Sequence, residues 1–157
     1  MDIVKAALEN LDVEYEFIFH EKQICSATDG AEFFNIDPGQ TAPTLIVETD
    51  NGCFSIIFSG SRSHVDFKYV AEIIGSAKVQ LVKRNKLREV TGFDPGDTPM
   101  VGLNMPVIFD KRLFQYSFVY GGSGFPNRTL KISPNSLTKL NNVVAYLEID
   151  DQYSRGC

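Results

Sequence analysis

Two β-rich runs separated by a tight-turn signal constrain the fold of this chain more than any other feature. Residues 44–49 and 53–58 are dominated by apolar and β-branched side chains, and Asp50, Asn51 and Gly52 lie between them. A two-residue hairpin turn of type I′ needs positive φ at its central residues, which Asn and Gly tolerate. The segment therefore predicts an antiparallel hairpin near the middle of the chain.

Helix signals alternate with further strand signals along the rest of the sequence. Helical spacing of apolar residues predicts a helix over 2–10. Hydroxyl, Asp and Ser-Pro starts predict helices over 26–35, over 66–75 and from 133 onward, and a basic helix over 83–90 is stopped by Thr91-Gly92. Strands are predicted over 13–19, 79–82, 106–109, 118–120 and 129–132, with 143–149 either a strand or a helix extension. Hairpin-linked strands beside strands joined through helices predict a mixed α/β (α+β) fold, in which helices pack outside a mixed, partly barrel-like β-sheet.

Length and charge limit the classes of protein. A chain of 157 residues with 43% hydrophobic residues has the size of one ordinary domain, so we expect a single domain over 1–157 with a core at about 13–149. The net charge of −5 is opposite in sign to that of a general nucleic-acid binder. We therefore expect no DNA partner, and any RNA contact must rest on a local basic patch.

The chain has three cysteines, Cys25, Cys53 and Cys157. Their number is odd and no two form a CxxC pair, so the sequence favours reduced thiols in the cytoplasm. No apolar stretch approaches the roughly 20 residues that span a bilayer. The sequence predicts a cytoplasmic protein without a membrane partner.

A series of short motifs runs in a fixed order from residue 20 to residue 149. The series consists of His20, residues 43–47, Ser59-Gly60-Ser61 with Val65-Asp66-Phe67, residues 91–96, Gly102, residues 106–110, the Gly121-Gly122-Ser123-Gly124 run and residues 130–134. In this order and spacing, the chain resembles the YbaK-like, prolyl-tRNA-synthetase-associated editing-domain family. Each motif alone is weak, and their shared order carries the resemblance.

The resemblance implies a small trans-acting deacylase that hydrolyses the ester between a wrong amino acid, such as alanyl or cysteinyl, and the terminal adenosine of tRNA. It implies translation-fidelity editing without a metal or organic cofactor. The expected partner is the acceptor end of an aminoacyl-tRNA, and family context suggests an aminoacyl-tRNA synthetase as a second one. The substrate's own ribose 2′-hydroxyl would help to position or activate water.

The resemblance also assigns candidate site residues. The expected substrate-binding set is His20, Pro43, Thr44, Ser59, Gly60, Pro99, Met100, Gly121, Gly122 and Ser123. Ester cleavage needs hydrogen-bond donors for the developing oxyanion, and glycine backbone can approach a substrate without a Cβ in the way. Gly96 and Gly102 are the candidate backbone donors. A surface connection is the alternative interpretation of each glycine-rich run.

Two departures from the family pattern keep a second function open. The family usually carries a lysine where this chain has Pro43, which offers neither a cation nor an N–H group. The family's GxxxP loop is also shifted, because Met100 stands at the fifth position from Gly96 and Pro99 one place earlier. The alternative is a binding module that holds a tRNA acceptor end, a nucleotide or another small ligand without hydrolysis.

The charged and imidazole side chains each have two interpretations. Lys83, Arg84, Lys86 and Arg88 are either an RNA contact or a solvated helix face. His20 either contacts the terminal adenosine or a phosphate, or simply ends a strand, whereas His64 is expected to be structural or solvated. Neither histidine belongs to a recognisable triad motif, so we expect no nucleophilic catalysis.

Overall fold

Two open β-sheets and five α-helices form the protein, in a computed structural model that describes residues 2–24 and 26–149. The helices are α1 (Ile3–Asn10), α2 (Ala27–Phe34), α3 (Phe67–Ile74), α4 (Arg84–Thr91) and α5 (Pro134–Leu140). The strands are β1 (Tyr15–Phe19), β2 (Thr41–Ala42), β3 (Thr44–Thr49), β4 (Gly52–Ile57), β5 (Val79–Leu81), β6 (Val107–Asp110), β7 (Val119–Gly122), β8 (Arg128–Ile132) and β9 (Val143–Leu147).

Both sheets are mixed. The first has the strand order β1-β8-β7-β2, with antiparallel pairs except for the parallel pair β2 and β7. The second has the order β5-β3-β4-β6-β9, in which β6 runs parallel to both of its neighbours. The predicted mixed α/β class is confirmed. The strands lie in two open sheets rather than in one barrel-like sheet, because the chain leaves the first sheet after β2 and enters the second at β3.

Most helices and strands were predicted correctly from residues that are close together in the sequence. The Asp66 carboxylate accepts from the backbone N–H of Lys68 at 2.9 Å and opens α3, which Gly75 ends with a φ of 69°. The predicted hairpin is β3 and β4, whose register pairs Thr49 with Gly52. The turn is not the predicted type I′, because the central residues Asp50 and Asn51 do not have positive φ; the left-handed residue is Gly52, which follows them with a φ of 102°.

Long-range pairing decided the remaining elements. Gly121 and Gly122 belong to β7 rather than to a loop, because they pair with Leu130 and Thr129 of β8. The ambiguous segment 143–149 contains a strand, β9, which pairs with β6. The two-residue strand β2 was not predicted, since its ladder to β7 spans 79 residues of sequence at Thr41 and Tyr120.

Hydrophobic side chains fill both sides of the second sheet. One cluster joins α1, β6, β7, β8 and α5 around buried residues such as Phe109, Leu130 and Leu137. The other lies under α3 and includes Val47, Ile56 and Val70. No helix in 2–24 or 26–149 is long and apolar enough to cross a membrane.

Cys53 is a free thiol that packs beside a small cluster formed by Ile46, Val82 and Leu87. Burial, with a smaller contribution from the charge of Glu48, raises the pKa of this thiol, which lowers its thiolate fraction at neutral pH. Cys25 and Cys157 lie outside the described residues.

Candidate functional site

A cavity of about 250 Å³ opens where the two sheets meet. Its walls come from His20, Ile24, residues 26–34, the β2–β3 junction, the loop before Met100, and strands β7 and β8 with the loop between them. Both glycine-rich segments reach it: Gly96 and Thr98 from one, Gly121 and Gly122 from the other. The two segments touch, because the N–H of Met100 donates to the carbonyl of Gly122 at 3.2 Å.

Gly122 permits this contact because it has no side chain. An ideal Cβ at Gly122 would lie 2.1 Å from the carbonyl oxygen of Thr98, far inside the van der Waals distance. The glycine thus fixes how closely the loop approaches β7, and the loop forms one wall of the cavity.

The β2–β3 junction forms another wall of the cavity through Pro43 and Thr44. Pro43 is the one residue between the two strands, and its carbonyl accepts from the N–H of Phe58 at 3.1 Å. Thr44 Oγ1 is buried and has no hydrogen-bond partner among the described residues. An unsatisfied buried hydroxyl costs about 1–3 kcal/mol, and because this oxygen is closed off from solvent, Thr44 does not present it to the cavity.

His20 is held at both ring nitrogens. Nδ1 lies 2.7 Å from the carbonyl oxygen of Lys22, and Nε2 lies 2.9 Å from Oγ1 of Thr129. A carbonyl only accepts, so Nδ1 must donate, and in the neutral imidazole Nε2 is then an acceptor for the Thr129 hydroxyl. The edge of the ring also packs on Phe33, with 5.5 Å between centroids. His20 and Thr129 both line the cavity.

Arg128 lines the cavity, and its positive charge is already paired within the protein. Its guanidinium pairs with the Asp2 carboxylate at 2.7 Å, donates to the Ser123 carbonyl at 2.8 Å, and lies 4.0 Å and 4.4 Å from the ring centroids of Phe17 and Phe125. The hydrogen bond from Arg128 is the main reason that the pKa of Asp2 is lowered, and burial opposes it. Asp2 also caps α1 by accepting from the N–H of Lys5 at 3.1 Å.

Replacing Asp2 with asparagine should remove the ion pair while leaving the helix cap, because Asn and Asp cap equally well. We expect the free energy of unfolding at neutral pH to fall by roughly 1 kcal/mol, since the pair is partly exposed. Folding lowers the pKa of Asp2, so this contribution is present above the ordinary Asp value of about 3.9 and is lost as the pH falls below it. Urea unfolding at neutral pH and near pH 3 checks this; an equal difference at both pH values would contradict it.

Several residues predicted for the site lie behind its walls instead. Ser59 is fully buried, with its hydroxyl donating to the Gly39 carbonyl at 2.7 Å. Gly60 fits under β2, where a Cβ would lie 2.1 Å from Thr41 Oγ1. Neither lines the cavity. Both support the β2–β3 junction, since the N–H of Gly60 donates to the Thr41 carbonyl at 3.0 Å.

Met100, Pro99, Ser123 and Gly102 are also absent from the cavity lining. Met100 is part of the hydrophobic core, and Pro99 is buried beside it in the chain. The hydroxyl of Ser123 donates to the Arg128 carbonyl at 2.6 Å. Gly102 packs on α1, where a Cβ would lie 2.9 Å from the Ile3 carbonyl oxygen. His64 is exposed, as expected.

Other wall residues gave no functional signal in the sequence. They are Ile24, Ser26, Ala27, Gly30, Phe34, Thr41, Ala42, Thr98, Tyr120, Phe125, Pro126, Arg128 and Thr129. Most are ordinary strand and helix residues.

The basic segment comes shortly before the cavity loop in the sequence. Lys83, Arg84, Lys86 and Arg88 are all exposed, and the Arg88 guanidinium pairs with the Asp94 carboxylate at 2.7 Å. This pairing ties the end of α4 to the start of the loop that supplies Gly96 and Thr98.

The same loop is held from its other side. Asp97 accepts from Nε2 of Gln23 at 3.0 Å, which joins the loop to the segment that follows His20. Burial raises the pKa of Asp97, and the hydrogen bond from Gln23 opposes the shift. Among the described residues, no three His, Cys, Asp or Glu side chains are placed to hold a metal ion.

The fold and the cavity define a small α/β protein with a candidate site lined by glycines, hydroxyl-bearing side chains and one imidazole. The family model for the aminoacyl-tRNA editing domain matches residues 21–140, and the chain belongs to this family. The motif-based prediction of the family is therefore confirmed. No curated protein matches the chain significantly.

Solved structures share the fold. One, described as "hypothetical protein APE2540", has a TM-score of 0.84 and 24% identity and covers 92% of this chain and 97% of its own. Another, described as "a putative trans-editing enzyme for prolyl tRNA synthetase", has a TM-score of 0.81 and 23% identity and covers 91% of this chain and 92% of its own. At these identities the likeness concerns the fold.

Proposed function

We propose that the protein is a trans-acting aminoacyl-tRNA deacylase, which hydrolyses the ester of a mischarged tRNA. One observation carries the proposal: a single cavity unites both glycine segments with the imidazole of His20 and its hydrogen-bond partner Thr129. Membership of the editing-domain family supports it. The aminoacyl-tRNA acceptor end is the proposed partner, in the cytoplasm, and the context of the prolyl-tRNA synthetase neighbour suggests a synthetase as a second one.

The size of the cavity indicates which part of the substrate it takes. Its volume of about 250 Å³ is below the roughly 300–1,000 Å³ of sites that enclose a whole drug-sized ligand. The aminoacyl group and its ribose fit this volume, with the adenine at the mouth. Ile24, Phe34 and Ala42 give the interior an apolar surface, which suits a small uncharged amino acid side chain.

Phe125 is placed to meet the adenine. It lines the cavity yet is 44% exposed, and Arg128 lies 4.4 Å from its ring centroid. Stacking of a base on an aromatic side chain is worth about 1–3 kcal/mol. The ring is therefore the proposed platform for the terminal base.

Glycine backbone would face the reacting carbonyl. Gly96, with a φ of 90°, and the strand glycines Gly121 and Gly122 all line the cavity. The N–H group of Gly96, which belongs to no strand, can approach a developing oxyanion without a Cβ in between. Gly121 and Gly122 lie in β7 between β8 and β2, so their part is to keep that wall free of side chains. Gly102 is not a proposed donor, because it packs on α1 and does not line the cavity.

The function is tested by incubating the purified protein with a panel of mischarged tRNAs and measuring the released amino acid. Release above the buffer rate for at least one small amino acid is expected. No release from any substrate would refute the deacylase.

The absence of the family lysine keeps the binding module as a second candidate. Pro43 lines the cavity without a charge. The discriminating variant is Pro43→Lys: hydrolysis that appears in this variant alone would identify the natural protein as a binder. Hydrolysis by the unmodified protein would exclude that interpretation.

The basic segment is the proposed contact for tRNA phosphates. We expect a triple variant, with Lys83, Arg84 and Lys86 replaced by alanine, to bind tRNA more weakly. Its slope of log affinity against log salt should fall by about 2 to 3, since each lost phosphate contact removes about 0.7–0.9. Filter binding over a salt series measures this slope.

Arg88→Ala is the matched control, because the Arg88 charge is already paired with Asp94 and its loss should change the slope less. An unchanged slope in the triple variant would assign the segment to the solvated surface.

A further inference from the structure

His20 and Thr129 form a hydroxyl–imidazole pair inside the cavity, although 109 residues separate them in the sequence. The bond from Nδ1 to the Lys22 carbonyl fixes the tautomer, so that the lone pair of Nε2 faces the Thr129 hydroxyl. In Ser-His-Asp triads a carboxylate holds the imidazole in the same way. Here a backbone carbonyl occupies that position.

The geometry of Thr129 limits what its hydroxyl can do. The residue is 8% exposed and lies within β8, paired with Ile18 on one side and with Gly122 on the other. A secondary alcohol enclosed in a sheet has little freedom to attack a carbonyl carbon. While it donates to Nε2, however, its oxygen keeps lone pairs that can accept a proton from a group in the cavity.

We propose that Thr129 and His20 form a proton relay that activates the hydrolytic water; this inference rests on the proposed deacylase function. Water attacks the ester carbonyl carbon and gives a proton to Thr129 Oγ1, while the Thr129 proton passes to Nε2 of His20. The bond from the carbonyl carbon to the ribose oxygen then breaks. That oxygen takes the proton back through the same two groups, which leaves a free amino acid and a tRNA hydroxyl.

The relay explains how a cavity without the family lysine retains a proton acceptor. His20 is the one imidazole that lines this cavity among the described residues, and His64 is exposed. General-base assistance of this kind typically contributes about 10²- to 10⁴-fold to a rate.

The first test uses deacylation by variants of the full chain. Thr129→Val keeps the shape and the β-branched side chain that suits a strand, and it should lower kcat by at least about 100-fold. Thr129→Ser keeps the hydroxyl and should stay within about tenfold of the unmodified protein. His20→Ala should lose as much as Thr129→Val, and the double variant should lose no more than either. His64→Ala is the control and should not change the rate.

Two further readouts separate the relay from a structural role. Imidazole added to the medium should restore part of the activity of His20→Ala, but none of that of Thr129→Val. Nitrogen-15 NMR of the two histidines in the chain should show a protonated Nδ1 and a bare Nε2 for His20, with the Nε2 signal shifted in Thr129→Val. Circular dichroism establishes that each variant is folded.

Each outcome has a distinct meaning. Turnover by the unmodified protein that persists in folded Thr129→Val would overturn the relay and leave the deacylase in place. An acyl group trapped on Thr129 would also overturn it, because the hydroxyl would then be the nucleophile. No turnover by the unmodified protein with any substrate would overturn the deacylase and the relay together.

Discussion

Replacing Gly122 with alanine should abolish most of the proposed deacylase activity, with a loss of about 100-fold or more. The new Cβ would lie 2.1 Å from the carbonyl oxygen of Thr98 and 3.0 Å from its carbonyl carbon. Both are backbone atoms, so the loop from Gly96 to Met100 must move away from β7. A displacement of about 1 Å at a site wall is enough to cost about 10²-fold in rate.

The same substitution should lower the free energy of unfolding by about 1–3 kcal/mol, as overpacking does elsewhere. Urea unfolding measures this effect independently of the activity. The reason is local: the clash also strains the hydrogen bond from the N–H of Met100 to the Gly122 carbonyl.

Gly30→Ala provides a matched control from the same cavity. Its Cβ would lie 3.4 Å from Ile24 and 3.5 Å from Thr41, which is ordinary contact, and alanine is favoured over glycine within a helix by about 0.5–1 kcal/mol. This variant should be at least as stable as the unmodified protein and should keep most of its activity toward the smallest substrate. If Gly122→Ala were as active as Gly30→Ala, the glycine would not set the position of the wall.

Asp110→Asn should lower the free energy of unfolding by about 3–5 kcal/mol, the usual effect of breaking a buried ion pair. The Asp110 carboxylate is fully buried and accepts four N–H donors. They are Nε and Nη2 of Arg62 at 2.6 and 2.9 Å, the backbone of Ser59 at 2.8 Å and the backbone of Arg112 at 2.9 Å. An asparagine would remove the negative charge and turn an N–H₂ group toward these donors.

The matched control for Asp110→Asn is Asp94→Asn. The Asp94 carboxylate also pairs with an arginine, at 2.7 Å, but the side chains of Arg88 and Asp94 are 69% and 56% exposed. Exposed pairs contribute less than about 1 kcal/mol, so this variant should unfold close to the unmodified protein. Urea midpoints with unchanged slopes measure the difference, and equal losses in both variants would contradict the assignment.

Ser59, which the sequence predicted to bind substrate, belongs to the hydrogen-bond network of Asp110. Its family motif, Ser59-Gly60-Ser61, supports the junction between the sheets rather than the cavity surface. The backbone of Ser59 donates to Asp110, its hydroxyl donates to Gly39, and Gly60 lies against Thr41. A motif can therefore mark a structural support as readily as a contact with substrate.

The sequence by itself determined the features that depend on neighbours three or four residues away. The cap at Asp66, the stop at Gly75 and the turn ending at Gly52 are local choices of backbone conformation and hydrogen bonding. The order of motifs was also sufficient to identify the family.

Only the tertiary structure decided which of the candidate residues share the cavity. It brings Thr129 to His20 across 109 residues and Asp2 to Arg128 across 126. It also turns Gly102 toward α1 and Gly122 toward the loop. These contacts depend on strand register and sheet packing, which long-range burial fixes and local sequence does not encode.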